Sequence, residues 1–168
     1  MTQQAPTSHS DTRSISEIRK ATFDDAELLL NWRNDEVTRM QAFTQDIIKP
    51  DDHRQWLERT LGDPKKVLQI ILNEQSEPIG QVRFDISGTV AEITIALGPE
   101  YRNRGYGTLA LIESSTRFME HHPEVRRIRA RIKETNEVSI KVFKRAGYGD
   151  ERRDKGVVSL FFAGRKKD

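Results

Sequence analysis

Hydrophobic positions along this chain recur with two periods, and the switch between them predicts where helices give way to strands. Ile15 to Lys20 alternates apolar and polar residues, a short strand. Thr22 then precedes a helical run whose first turn carries Asp24 and Asp25, acids suited to the positive end of a helix dipole. Ala26, Leu29, Leu30 and Arg33 fall on one stripe of that helix, with Leu28 and Trp32 beside it. A second helix is predicted to open at Pro50, with Asp51 and Asp52 in its first turn, and to stop at Gly62. His53, Trp56, Leu57 and Thr60 share one of its faces.

From Val67 the period drops to two. Val67 to Leu72 is a continuous apolar run, fit for a central strand, and Ile79 to Ile86 sets Gly80, Val82, Phe84 and Ile86 on one side. Thr89 to Leu97 places Ala91, Ile93, Ile95 and Leu97 against Val90, Glu92, Thr94 and Ala96. Short turns join the three runs, so they read as an antiparallel meander. A loop and a helix from about Gly105 to His121 follow, with Leu109, Ile112, Thr116 and Met119 as the expected buried stripe. Arg127 to Lys133 alternates Ile128, Ala130 and Ile132 with cations, Asn136 caps a helix that ends at Gly147, and Val157 to Phe162 is a last strand. No repeat or linker interrupts the 168 residues. A disordered polar arm over residues 1–13 and one domain over 14–168 are expected.

Composition narrows the chemistry. Without cysteine there is no disulfide framework, thiol nucleophile or thiolate metal site, so no metal is expected. No apolar run approaches the roughly 20 residues that span a bilayer, and the first residues lack the apolar stretch of a secretory signal. A soluble, cytoplasmic domain with no membrane partner is the expectation. The net charge of +2 hides a gradient: residues 1–101 balance at −6, residues 102–145 at +6 and residues 146–168 at +2. One account is a solvated surface whose charges happen to segregate. The other is an anionic ligand on the C-terminal part and a cationic one facing the N-terminal part. Nucleic acid is disfavoured, because the cations alternate with apolar residues and no aromatic ladder accompanies them.

The informative stretch is EITIALGPEYRNRGYGTLALI, where a strand runs through Arg102-x-x-Gly105-x-Gly107 into a helix. Glycines let backbone approach a ligand, and the first amides of a helix point outward unsatisfied, so together they suit phosphate oxygens. Gly105-x-Gly107-x-x-Ala110 also fits a dinucleotide fingerprint, with Glu134 placed 24 residues beyond Ala110. Three features oppose that alternative. The strand ends several residues before Gly105, the next strand has a wet cationic face, and only 34 residues follow Glu134.

With Arg102, Gly105 and Gly107 after a central strand, and with Asn136, Gly147 and Tyr148 framing the helix NEVSIKVFKRAGY, the chain resembles the GNAT acetyltransferase superfamily over about residues 15–164. The resemblance implies an α+β fold: one domain whose mixed, mostly antiparallel sheet of six to seven strands is flanked by about four helices. A parallel pair of strands would splay apart at the cofactor site. It also implies acetyl transfer from acetyl-coenzyme A, as co-substrate, to a primary amine in a ternary complex. Backbone amides of Arg102, Asn103, Arg104, Gly105, Tyr106, Gly107 and Thr108 would hold the pyrophosphate. The pantetheine arm would pair against Ile95, Ala96 and Leu97, with Asn136 and Phe143 on the neighbouring helix.

An ammonium must lose a proton before it attacks, and Glu92 is the expected base, on the strand position where related enzymes carry a catalytic Glu. Its ordinary alternative is a surface carboxylate paired with an arginine. The position where many relatives carry a proton-donating Tyr is Phe143 here, which leaves Ser139 as a substitute, or else a local cap. Trp32, Arg33, His53 and Trp56 resemble acceptor-side residues of a subgroup that includes amino-sugar-nucleotide and ribosomal-protein N-terminal acetyltransferases. Each Trp has a core role as its alternative. The partner expected is a small-molecule amine, best an amino sugar or sugar nucleotide, and a homodimer is left open. A protein N-terminus as acceptor and a non-catalytic acetyl-coenzyme A-binding module are the alternatives.

Overall fold

The computed structural model describes residues 12–164, so the arm expected over 1–13 lies almost wholly outside the described residues. In chain order the elements are β1 (Ile15–Lys20), α1 (Ala26–Asn34), α2 (Glu36–Gln41), α3 (Pro50–Gly62), β2 (Lys66–Asn73), β3 (Pro78–Ser87) and β4 (Val90–Leu97). Then follow α4 (Tyr106–His121), β5 (Arg127–Lys133), α5 (Glu137–Arg145), β6 (Gly149–Asp154) and β7 (Val157–Phe162). The seven strands form one sheet in the order β1-β2-β3-β4-β5-β7-β6. Every neighbouring pair is antiparallel except β4 and β5.

Each face of the sheet carries a helical layer with its own core. On one face α4 and α5 bury Tyr106, Leu111, Phe118, Ile140 and Phe143 against Val82, Phe84, Ile93, Ile128 and Leu160. On the other, α1 and α3 bury Leu29, Trp32 and Leu57 against Leu68 and Ile70 of β2. Alternation in the strands assigns each residue to a layer, because successive side chains point to opposite faces. Ala91, Ile93, Ile95 and Leu97 pack with the α4/α5 core, so Glu92, Thr94 and Ala96 face the α1/α3 layer.

Three expectations need correction. The buried stripe of α4 is Tyr106, Ala110, Leu111, Ser114, Ser115 and Phe118 rather than Leu109, Ile112, Thr116 and Met119. The stripe is rotated because two serines are buried where apolar residues were sought. Ser114 donates back to the Ala110 carbonyl at 2.6 Å, and Ser115 pairs with the Tyr148 hydroxyl at 2.7 Å, so neither is left unsatisfied. Trp32 lies in the α1 core rather than beside the stripe. α2 and β6 were not anticipated, and neither has a buried residue to give it a period.

The first helix begins with a 3₁₀ turn over Phe23–Asp25. There the Thr22 amide donates to Asp25 at 2.8 Å, and Arg19 pairs with the same carboxylate at 2.8 Å. The Arg19 hydrogen bond holds the Asp25 carboxyl below the usual range, against the opposing effect of burial.

Candidate active site

The parallel β4/β5 ladder is short. It runs only from Val90 opposite Arg127 to Ile93 opposite Ala130. Beyond that point Arg131 to Lys133 pair with β7 alone, and Ile95 to Leu97 pair with β3 alone. The two strands therefore part at Ile93, and β4 presents an open edge to the gap.

Which groups line that edge follows from antiparallel geometry, in which alternate residues bond to alternate neighbours. The Gly98 amide donates to Ile79 on β3, and the Thr89 carbonyl accepts from Arg126 on the β5 side. Odd-numbered residues of β4 thus turn their backbone groups toward β5, and even-numbered residues toward β3. Ile95 and Leu97 leave amides and carbonyls open to the gap. Ala96, expected to join them, has its backbone groups turned to β3.

The start of α4, at this gap, has features that suit an anion. The N-cap of α4 is Gly105 at φ +85°, a left-handed conformation that favours glycine. No side chain caps this terminus and no acid sits in its first turn. Elsewhere Asp35 caps α2 through the Thr38 amide, and Asn136 caps α5 through the Ser139 amide at 3.2 Å. The amides at the start of α4 remain for a ligand. Gly107 brings the elements together: a Cβ there would stand 3.3 Å from Val142 of α5 and 3.6 Å from Leu97 of β4. The edge, the amide cluster and α5 therefore meet at one place, and their donors fit a pyrophosphate with an extended arm. Gly107 also answers to helix packing, so a bulky residue there would disturb the fold as well as the loop.

Several predicted residues take other parts. The Arg102 side chain turns away from the amides to Asp35 at 2.6 Å and to the Thr38 hydroxyl at 2.8 Å. Burial acts to raise the Asp35 carboxyl, but the Thr38 amide and Arg102 outweigh it and hold it below the usual range. This link ties the loop to α2. Asn103 has φ +56°, which shapes the loop, and Arg104 donates to the Glu100 carbonyl at 3.1 Å. The Tyr106 ring is buried, its hydroxyl donating to Glu74 at 2.8 Å, so only its backbone is available to a ligand. Phe143 is buried edge-on against Tyr148, with ring centroids 5.0 Å apart. Among the described residues the Ser139 hydroxyl makes no hydrogen bond.

On the α1/α3 face, Glu92 pairs with Arg129 at 2.7 Å and lies 3.8 Å from Arg131. The end of α2 and the segment after it span the face beside Glu92: the Met40 carbonyl accepts from Lys133 at 3.1 Å, and Arg131 lies over Phe43 at 5.1 Å. Next to this segment is a cavity of about 130 Å³ lined by Leu29, Arg33, Ile48, His53, Trp56, Gln81 and Arg83. Three of the four predicted acceptor-side residues meet there. Trp32 does not, because it packs in the core with its Nε1 at Gly98. Burial holds the His53 imidazole below its ordinary range, so it is neutral near pH 7. Gln81 and Arg83 were overlooked, although their alternation with Val82 and Phe84 places them on the face opposite the main core.

Comparison with known proteins agrees with this geometry. The acetyltransferase (GNAT) domain family model matches residues 17–149. A spermidine N-acetyltransferase from Vibrio cholerae, solved with CoA and spermine, superposes with a TM-score of 0.76. It is 14% identical, and the match covers 91% of this chain and 96% of that one. A domain from Methanocaldococcus jannaschii gives 0.75 at 22% identity, covering 89% and 98%. Aminoglycoside acetyltransferase AAC(6′)-Ib in complex with coenzyme A gives 0.72 at 19%, covering 90% and 94%. At these identities the likeness carries the fold and leaves the acceptor open. No curated protein sequence matches the chain. Among the described residues no helix is long and apolar enough to cross a membrane.

Proposed function

The chain belongs to the GNAT acetyltransferase family, and from that premise we propose that it acetylates the primary amine of an amino sugar or sugar nucleotide. Acetyl-coenzyme A, the co-substrate of this acyltransferase, supplies the activated acetyl thioester when bound. The observation that carries the site assignment is the convergence of the open Ile95–Leu97 edge, the uncapped start of α4 and α5 at one gap.

The amides of Gly105 to Thr108 bind phosphate oxygens there, and the backbone of Ile95 and Leu97 aligns an extended arm. An open β4 amide donates to the thioester oxygen as negative charge develops on it. Glu92, on the acceptor face of the same strand, takes the ammonium proton, and Ser139 at the start of α5 is the candidate donor to the departing thiolate. A thiolate, with an ordinary pKa near 8.5, also leaves without much help. On the acceptor side Trp56 offers a flat face to a sugar ring.

The test is turnover with acetyl-coenzyme A across amino sugars, amino-sugar nucleotides and N-terminal peptides, in the wild type and in a Trp56→Leu variant confirmed as folded by thermal melt. Amino-sugar substrates should be fastest and should lose the most in Trp56→Leu. Faster acetylation of peptides than of every amino sugar would replace this acceptor with a protein N-terminus. Coenzyme binding without turnover on any amine would leave a sensory module.

A further inference from the structure

The cavity between α1, α3 and β3 has a charge that the general reaction does not require. Two guanidinium groups enter it, from Arg33 and Arg83, and none of its lining residues is acidic. Each is anchored at one point. Arg33 donates through Nη2 to the Thr44 carbonyl at 2.7 Å, and its Nη1 is buried without a hydrogen-bond partner. Arg83 donates through Nε to Asp85 at 3.0 Å and lies over the Trp56 ring at 5.6 Å. Among the described residues its two terminal nitrogens have no partner. His53 adds a neutral ring and Gln81 an amide. A buried donor left unpaired is costly, and burial followed by the charges of Arg39 and Arg83 destabilises the Arg33 cation. An anion in the cavity would offset the second, and the free terminal nitrogens of Arg83 would give it donors.

We propose that this cavity is an anion subsite of the acceptor, taking a phosphate or carboxylate oxygen group that the substrate carries apart from its amine. The proposal rests on the acetyl-transfer reading and narrows it. Register sets the spacing. Gln81 and Arg83 pair with Ala96 and Thr94 of β4, and the gap that holds the thioester lies beyond the opposite edge of β4. The cavity and the gap are thus about two strand spacings apart, roughly 10 Å. A free α-amino acid, with amine and carboxylate on one carbon, is too short to reach both. A linear polyamine offers the cavity only cations, which its arginines repel. A sugar amine bearing a phosphate or a nucleoside diphosphate has the required length and charge.

The experiment has a binding arm and a kinetic arm. UDP is titrated calorimetrically into protein already saturated with coenzyme A, so that the pyrophosphate site is closed to it. Binding should be seen in the wild type and should weaken roughly 10- to 100-fold in Arg33→Gln and in Arg83→Gln, each checked by thermal melt. Kinetically, glucosamine, its 6-phosphate, a UDP-linked amino sugar, spermidine, and short peptides with and without an acidic side chain are compared. The anionic member of a pair should have the higher kcat/KM, and that preference should collapse in Arg33→Gln. A phosphate preference assigns the anion to a sugar phosphate, and an acidic-peptide preference assigns it to a carboxylate. UDP that gives no heat together with no preference for acidic peptides, or spermidine and glucosamine acetylated as well as the anionic amines, would overturn the subsite. Should coenzyme A itself fail to bind, the transferase reading fails, while UDP titrated into the free protein still judges the cavity.

Discussion

Gly80 offers a sharp test of the idea that the β4 edge is a positioned element. It lies on β3 opposite Leu97. A Cβ at Gly80 would stand 2.6 Å from the Ala96 carbonyl oxygen, 2.8 Å from Leu97 Cδ2 and 3.1 Å from Leu97 Cα. The leucine methyl can rotate away, but the other two atoms are backbone. Ordinary contact begins at 3.4 Å, so the Ala96 carbonyl alone falls about 0.8 Å short. In Gly80→Ala the end of β4 must therefore move, carrying the open groups of Leu97 with it.

Overpacking of this kind costs about 1–3 kcal/mol. For a chain of this size each kcal/mol lowers Tm by roughly 2–4 °C. A misplacement near 1 Å can reduce rate by about a hundredfold, so kcat/KM for acetyl-coenzyme A should fall by one to two orders of magnitude. Gly88→Ala is the control. Gly88 sits in the β3–β4 turn at φ +59° with nothing within 4 Å, so alanine there strains the turn without pushing on the edge. It should lower Tm and leave kcat/KM within about twofold. Melting curves and steady-state kinetics on both variants decide the matter. Wild-type kinetics in Gly80→Ala, or equal kinetic loss in Gly88→Ala, would refute a positioned edge.

Three further outcomes are expected. Glu92→Gln should lower kcat by roughly ten- to a thousandfold at neutral pH and by much less at high pH, where the amine is already free; equal loss at every pH would make Glu92 structural. Gly105→Ala should cost about 1–2 kcal/mol for its left-handed conformation and weaken acetyl-coenzyme A at least tenfold by calorimetry; unchanged affinity would remove the α4 terminus from the site. His53, held below its ordinary pKa by burial, makes the unfolded chain bind a proton that the folded one refuses as pH drops below about 6.5. Stability should therefore decline from pH 7 toward pH 5, and His53→Gln should decline less; parallel pH–Tm curves for the two would show that His53 does not contribute.

What could be read from the sequence was what repeats or what sits on a short motif. Ile128, Ala130 and Ile132 alternate with cations and are all buried, so β5 was visible from end to end. Pro50 and Gly62 mark α3 because ring geometry and chain flexibility act locally. β6 was hidden because GDERRD is exposed at every position, so pairing with β7 defines it and burial does not. The α4 face was misjudged because Ser114 and Ser115 look like surface residues until their partners at Ala110 and Tyr148 are known. The same limit applied at the site. The glycine loop was legible, whereas the turn of Arg102 toward Asp35 and the meeting of Arg33 with Arg83 depend on residues 67 and 50 positions apart.

The position of Glu92 constrains how a proton can leave the amine. Glu92, Thr94 and Ala96 stand on one face of β4, and at about 3.3 Å per residue Glu92 lies roughly 10 Å along the strand from Ile95, where the open edge begins. That is further than a glutamate side chain reaches, and Arg129 at 2.7 Å already holds the carboxylate in place. If Glu92 is the base, a proton released at the edge would need a relay to arrive there, and Thr94, whose exposed position lies between the two, leaves room for a water to provide it. General-base catalysis through one water is an ordinary arrangement, and it makes loss of the base partial, because the same water opens to solvent. The acceptor's anion, if held by Arg33 and Arg83 over β3, would keep the amine at the edge end of this face rather than let it slide toward the Glu92 carboxylate, where an ammonium would otherwise be drawn. On the proposed reading the two arginines and Glu92 would act on opposite ends of one molecule: the arginines would fix where the amine stands, and Glu92 would set how readily it becomes a nucleophile.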